Sequence, residues 1–336
     1  EPVKVLGETV DGPDAESLLE EAARAGVQVR FLASGHDPHA RKFAKRLIAA
    51  GGEGACDKRK ALFGSHHQKF IVCRYPAEDG GSIWRALLGS GDFLYARWDT
   101  HACNPEEPDR SENGAPPHDV WLEVDGPATH DVALHFAERW NDSSNISLTD
   151  PRLSSTLSTA FVDDDVATAG PHSLQLLRTY PVLKRGGFSW SDVGEFSIWA
   201  AYLNGIRQAK RYIYLEDQYF YSFQDPPLSG RPDDPLYRYD IVVQLGEAIK
   251  KGVDVLVAVP SRKGDWRKHY ELQQRGKAMQ YLTECASQPG AGRAIGCFLR
   301  KGEMDPIIHS KLMLVDDAYA IVGSANIGMR SMTYDS

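Results

Sequence analysis

Two stretches of the chain, SHHQKFIVCR (65–74) and IHSKLMLVDD (308–317), each place a histidine and, two residues on, a lysine inside an apolar run that reads as a strand. Residues i and i+2 of a strand project from one face, so His67 stands beside Lys69 and His309 beside Lys311, with His66 and Ser310 turned away. An imidazole beside an ammonium suits a phosphodiester. The cation holds the non-bridging oxygens, while a neutral ring attacks phosphorus or a protonated ring gives its proton to the leaving oxygen. One pair cannot do both jobs at once. In-line displacement needs a nucleophile and an acid on opposite sides of phosphorus, and two copies facing each other across a twofold axis supply them. This chemistry calls for no metal.

Each strand is followed by a glycine-polar turn, LLGSGDF (87–93) and IVGSANI (321–327). Ser90 and Asp92 in the first, and Ser324 and Asn326 in the second, are again i and i+2, able to aim hydrogen bonds at the phosphate or its lysine. Asp316 lies an odd number of residues beyond His309, so it faces away from the phosphate and supports the hairpin turn with Asp317. Arg74 occupies the matching place after His67 and faces away likewise.

The elements that must position these residues also recur. EEAARAGVQVRFLASG (20–35) and GEAIKKGVDVLVAVPS (246–261) share a helix end, a glycine stop at Gly26 or Gly252, and a strand. A second helical stretch follows each, at 39–52 and 269–286, and then the His-x-Lys strand and its turn. This order predicts an α/β protein of two similar halves, each a mixed sheet flanked by helices, packed about a pseudo-twofold axis with one shared active site. The halves are expected at 1–150 and 151–336, with the seam in the Ser, Thr, Asn and Asp-rich stretch 141–165. The second half opens with HSLQLLRTYP as an alternating strand; Ser191 and Asp192 are expected near the N-cap of the following helix. Glu216 and Gln218 are expected on one face at the end of the next strand. Long polar loops are expected at 75–82, 103–117 and 222–238. Trp84, Trp98, Trp121, Trp190 and Trp266 read as core or loop anchors rather than a lipid platform, although Trp266 and Tyr270 sit in a loop suited to touching membrane.

Composition narrows the function classes. At 336 residues and 42% hydrophobic, the chain can bury a sizeable core, and its net charge of −8 argues against broad nucleic-acid binding. Cys56, Cys73, Cys103, Cys285 and Cys297 are odd in number and form no CxxC pair, so they read as ordinary thiols, with a disulfide as the alternative. No apolar run is long enough to span a bilayer. The chain opens on Glu1 without a signal-like segment, as a processed or trimmed product would, and its compartment is unreadable.

HSKLMLVD (309–316) fits the HxKxxxxD signature of the phospholipase D superfamily, and GSANIGMRSM (323–332) resembles its continuation. HHQKFIV, GGSIWRALLGSGDFLYARWDT (80–100), HDVWLEVDGPATHDVALHFAERW (118–140) and YIYLEDQYF (212–220) resemble the plant and animal branch, so the likeness covers most of the chain. The resemblance implies that His67 is the nucleophile and His309 the general acid, and that Lys69, Lys311, Ser324 and Asn326 bind the phosphate. It also implies that Asp119 hydrogen-bonds the nucleophilic histidine and that Glu216 and Gln218 border the cleft. The implied activity is hydrolysis of a glycerophospholipid such as phosphatidylcholine through a phosphohistidine, with transphosphatidylation to alcohols. The alternatives are a nuclease-type phosphodiesterase of the same superfamily and a degenerate lipid-binding module. Partners would be a phospholipid bilayer or micelle surface and a water or alcohol acceptor, with no nucleic acid. No cofactor is required, although calcium stimulation is compatible with the resemblance. Two departures stand out: Arg74 replaces the first signature aspartate, and the sequence stops at TYDS, about one residue short of the place where the family carries an acidic residue that orients the second histidine. Asp335 is the nearest carboxylate to that place.

Overall fold

A computed structural model describes residues 14–78, 80–93, 106, 117–144, 170–183, 186–223, 237–261, 266–300 and 305–336. Helix α1 (Ala15–Arg24) starts where the Asp14 carboxylate accepts the Ser17 N–H at 2.7 Å, and stops before Gly26 at φ +90°. Strand β1 (Arg30–Ser34), helix α2 (Pro38–Ala49) and strand β2 (Glu53–Asp57) follow; β1 and β2 pair in parallel. Next come the hairpin β3 (Phe70–Pro76) and β4 (Ser82–Gly89), the short β5 (Pro117–His118), β6 (Trp121–Asp125) and helix α3 (Ala128–Ser144). Strands β3, β4 and β6 form an antiparallel sheet, and α3 packs across it and onto β2.

In the second half, β7 (Thr179–Tyr180) pairs with β8 (Glu195–Phe196), ahead of α4 (Ser197–Gln208), β9 (Tyr212–Glu216) and α5 (Ile241–Lys250). Strand β10 (Asp254–Ala258), helix α6 (Trp266–Ala286), β11 (Ala294–Cys297), β12 (Ile307–Ile308), β13 (Leu312–Val315) and β14 (Tyr319–Val322) complete it. The sheet order is β11-β10-β9-β13-β14, with β9, β10 and β11 parallel and β13 antiparallel to both neighbours. Its main core lies between this sheet and α4, α5 and α6, built on Ile213, Leu215, Val255, Val257, Met313 and the buried face of α5.

The expected repeat is present: helix, Gly26, β1, α2, β2, β3, β4 in one half matches helix, Gly252, β10, α6, β11, β13, β14 in the other. The copies differ in how their strands are joined. Strand β9 joins β10 to β13 in the second half, and among the described residues no strand joins β1 to β3 in the first, so that half has two separate sheets. The halves are linked by β12 pairing in parallel with β5, Ile308 opposite His118.

Several sequence expectations are corrected. HSLQLLRTYP contributes a strand only at Thr179–Tyr180, and Tyr180 packs on His135 of α3 in the first half. Ser191 and Asp192 do not cap α4; Phe196 precedes that helix without a side-chain cap, and Ser197 Oγ instead accepts the Arg178 N–H. Trp266 begins α6 rather than lying in a loop, and Tyr270 is an exposed residue of that helix. Most of the expected seam and of the loops at 103–117 and 222–238, together with Trp98 and Cys103, lie outside the described residues. Cys56, Cys73, Cys285 and Cys297 are free thiols.

Candidate active site

Both His-x-Lys segments are extended chain just ahead of their strands, not inside them. The last rung of each hairpin falls on the lysine: Gly89 N–H donates to Lys69 O at 3.3 Å, and Gly323 N–H to Lys311 O at 3.2 Å. Beyond that rung the partner strand has turned away into its Gly-Ser loop, which leaves the histidines outside both hairpin ladders, with His67 N–H bonded to Ser336 O and His309 N–H to His118 O. Each lysine folds back on its own motif, Lys69 Nζ donating to His67 O at 2.9 Å and Lys311 Nζ to His309 O. Lys69 pairs with Asp92 at 3.3 Å, and Lys311 donates to Gln218 Oε1 at 3.3 Å.

The two pairs share one electrostatic neighbourhood. Burial, opposed by Asp217 and Asp119 and assisted by Lys69, pushes the Lys311 ammonium down to about 8. Burial and the charges of Lys69 and Lys311 push His67 down to about 3, against the pull of Asp335 and Asp92. His67 is therefore a neutral imidazole at physiological pH, and its Nδ1 is buried without a hydrogen-bond partner among the described residues.

The supporting carboxylates are exchanged between halves. His309 Nδ1 lies 2.8 Å from Asp119 Oδ1, which also accepts from Ser90 Oγ at 2.6 Å. The β12–β5 pairing sets this contact, because His118 O accepts the N–H groups of both His309 and Ser310 and so places Asp119 beside the ring. Burial raises the Asp119 carboxyl, but the hydrogen bond and charge of His309 outweigh it and hold it below the usual range. The C-terminus repeats the device for the first motif. His67 N–H donates to Ser336 O at 2.7 Å and Ser336 N–H to Ser65 O at 2.9 Å, which brings Asp335 next to the His67 segment. The buried Asp335 carboxylate accepts from Ser65 N–H, Ser65 Oγ, Ser331 Oγ and Arg330 Nε, and acts on His67 through its charge.

This arrangement corrects the expected role of Asp119: it supports His309, not His67, and Asp335 takes the place beside His67. Ser90 is corrected too. It is fully buried, donates to Asp119 and accepts the Val120 N–H at 3.1 Å, so it braces the carboxylate instead of facing a phosphate. Glu216 and Gln218 do not share a face. The chain turns at Asp217, so Gln218 reaches Lys311 while Glu216 reaches Ser310 Oγ, His118 Nε2 and Tyr214 OH on the other side. Burial opposes its ionisation, yet those three hydrogen bonds hold Glu216 at about 2, and Glu216 in turn raises His118.

Asn326 is buried with Oδ1 unpartnered among the described residues, and Ser324 is half-buried two residues before it. Their turn is fixed by Asp217, fully buried, which accepts the N–H groups of Tyr219, Phe220 and Ile327 at 2.7–2.8 Å. Asp316 sits in the β13–β14 turn at φ +53° with Asp317 at +61°, and its carboxylate accepts the N–H groups of Lys210, Arg211 and Tyr212 at 2.7–2.9 Å. It staples the start of β9. Arg74 is mid-strand in the longer first hairpin, opposite Trp84, with its guanidinium over that ring and 2.9 Å from Ser82 Oγ. With no β9 counterpart described in the first half and no turn at position 74, an aspartate there would have nothing to staple. Sequence reasoning missed Arg139, buried in α3, which donates to Asp57, Gln68 and Ser336 and so ties β2, the first motif and the C-terminus together. A lone arginine in an amphipathic helix carries no signal of that role.

A duplicated α/β fold thus brings two His-x-Lys segments together, each with a carboxylate from the opposite half beside it. A sequence profile of the phospholipase D family matches residues 50–225, and one of the cardiolipin synthase, PLD-like domain matches 202–336. The chain belongs to the phospholipase D family. It is 28% identical over 327 residues to phospholipase D A of Dictyostelium discoideum, covering 81% of this chain and 24% of that protein. Phospholipase D alpha 1 of Oryza sativa subsp. japonica is 26% identical over 359 residues, covering 80% and 44%. Phospholipase D1 of Mus musculus is 29% identical over 252 residues, covering 65% and 23%. The chain thus spans less than half the length of these relatives. Among solved structures, polyphosphate kinase from Porphyromonas gingivalis superposes with a TM-score of 0.48 at 14% identity, covering 98% of this chain and 38% of that one.

Proposed function

We propose that the chain is a phospholipase D-type phosphodiesterase that hydrolyses a glycerophospholipid such as phosphatidylcholine to phosphatidic acid and the head-group alcohol. The observation that carries this reading is the unequal surroundings of the two histidines. Burial and two ammonium groups keep His67 neutral, as a nucleophile must be. His309 donates Nδ1–H to Asp119, and a carboxylate there stabilises the imidazolium that a general acid must carry.

In the first step His67 Nε2 attacks phosphorus, the bond from phosphorus to the head-group oxygen breaks, and His309 Nε2–H protonates that oxygen. In the second, His309 takes a proton from water, whose oxygen attacks phosphorus, and the P–N bond to His67 breaks. A primary alcohol in place of water gives the transphosphatidylation product. Lys69, Lys311, Ser324 and Asn326 hold the non-bridging oxygens, while Asp92 and Gln218 position the two lysines.

Incubation with phosphatidylcholine vesicles tests the reading. The expected products are choline and phosphatidic acid, with phosphatidylethanol when ethanol is present, all lost in His67→Asn and in His309→Asn. Cleavage of single-stranded DNA without any release of choline would replace this substrate class by nucleic acid. Tight vesicle binding without product from any phosphodiester would replace it by a lipid-binding module.

A further inference from the structure

The first motif is preceded by a surface feature that the chemistry does not use. Gly64 N–H donates to Ala61 O at 3.1 Å, closing a β-turn with Leu62 and Phe63 at its two central positions. Such positions usually hold Gly, Pro, Asn, Asp or Ser, because the tip of a turn faces water. Here Leu62 is 85% and Phe63 71% exposed.

The turn is not a loose end. On one side Arg59 is buried in ion pairs with Asp57 and Asp142, with its guanidinium over the Phe188 ring. On the other, Gly64 lies so close to the C-terminal segment that a Cβ would come within 1.9 Å of Tyr334 O, and Ser65 N–H is held by Asp335. Both clamps leave the backbone fixed and the two apolar side chains projecting, so their burial in another phase costs little further ordering. Cations flank them: Lys58 and Lys60 are exposed, and the Arg330 guanidinium, 53% exposed, lies 2.8 Å from Ser65 Oγ. Three residues separate Phe63 from His67, the proposed nucleophile.

We infer that the Leu62–Phe63 turn inserts into a phospholipid surface and seats the mouth of the site on it. The inference rests on the proposed phospholipase reading for the position of the substrate, and on the turn itself for the contact. A lipid surface fits this combination better than a protein partner. An aliphatic and an aromatic side chain enter the acyl boundary, while the neighbouring ammonium and guanidinium groups stay among the phosphates.

The test uses the full chain and the double variant Leu62→Ser with Phe63→Ser. Retention on phosphatidylcholine vesicles, with and without phosphatidylserine, is measured in the His67→Asn background so that turnover does not alter the surface. Turnover is measured with His67 intact, on vesicles and on dihexanoyl-phosphatidylcholine below its micellar concentration. Removing two large apolar side chains from a surface they half-enter lowers retention by roughly tenfold or more. Vesicle turnover is expected to fall with it and monomer turnover to stay unchanged. Charge reversal in Lys58→Glu with Lys60→Glu lowers retention on the phosphatidylserine-containing vesicles alone, more so at low salt. Unchanged retention in the double serine variant overturns the inference, as does a parent protein that vesicles do not retain. A melting temperature lowered by the serines overturns it too, because the pair would then be packed in solution. If the parent cleaves neither substrate, the phospholipase reading fails, and retention still decides the role of the turn.

Discussion

Replacing Asp119 by asparagine separates the two histidines more sharply than replacing either ring. The carboxylate lies 2.8 Å from His309 Nδ1, with side chains only 12% and 6% exposed. At an effective dielectric of about 20, unit charges at that separation attract by roughly 6 kcal/mol, an upper bound on what the imidazolium loses. The amide retains part of this as a dipole and still occupies the space, so the acid-dependent step should slow by about 10²–10⁴, which corresponds to about 3–5 kcal/mol. The assay is a p-nitrophenyl phosphodiester of a diacylglycerol followed by stopped flow. p-Nitrophenolate leaves without a proton, so formation of phospho-His67 and its burst of colour should persist in Asp119→Asn. The later steady state, where His309 must activate water, should fall by the full factor. A burst that slows as much as the steady state would refute the reasoning, since Asp119 would then serve the nucleophile, as the sequence resemblance implied.

Other outcomes follow from the same geometry. Because Lys311 titrates at about 8, kcat/KM should decline as pH rises through that value. Stability should move the opposite way: between about pH 8 and the ordinary lysine range near 10.4, only the unfolded chain keeps the proton, so the folded state gains with pH. At the acid end His67, at about 3 against an ordinary 6.5, and Glu216, at about 2 against 4.5, both bind more protons when unfolded, so thermal stability should fall progressively as pH drops below 6.5. Glu216→Gln should lower the pKa of His118 in a proton NMR titration and reduce turnover by about tenfold, because the β5 segment that presents Asp119 loses a charged anchor. Asp316→Ala, which leaves three backbone N–H groups at the start of β9 without their acceptor, should cost about 1–3 kcal/mol in urea unfolding with kcat little changed. Arg74→Asp should change stability by less than about 1 kcal/mol and turnover not at all.

The repeat, the α/β architecture and the four residues His67, Lys69, His309 and Lys311 were legible in the sequence because each rests on a local pattern: a helix ending at glycine, a strand, a fixed spacing of two. What escaped is set by pairing between distant segments. Nothing local to HDVWLEV says that β5 lies beside β12, which hands Asp119 to His309 and His118 to Glu216. Nothing in TYDS says that it returns to Ser65 and His67. Strand parity placed Asp316 correctly because β13 is regular up to its turn, and misjudged Glu216 against Gln218 because β9 ends between them. Parity also turned Arg74 away from the phosphate, and its counterpart Asp316 staples a strand that the described first half does not contain.

The most direct measurement is trapping of the covalent intermediate. A phospholipid radiolabelled at the phosphate is mixed briefly with the His309→Ala protein, which forms the intermediate slowly and cannot hydrolyse it, and the protein is then quenched in alkali and mapped by peptide. The account predicts an acid-labile phosphoryl label on the peptide containing His67, absent when His67→Asn is added. Label on any other residue, or label that survives His67→Asn, would contradict it.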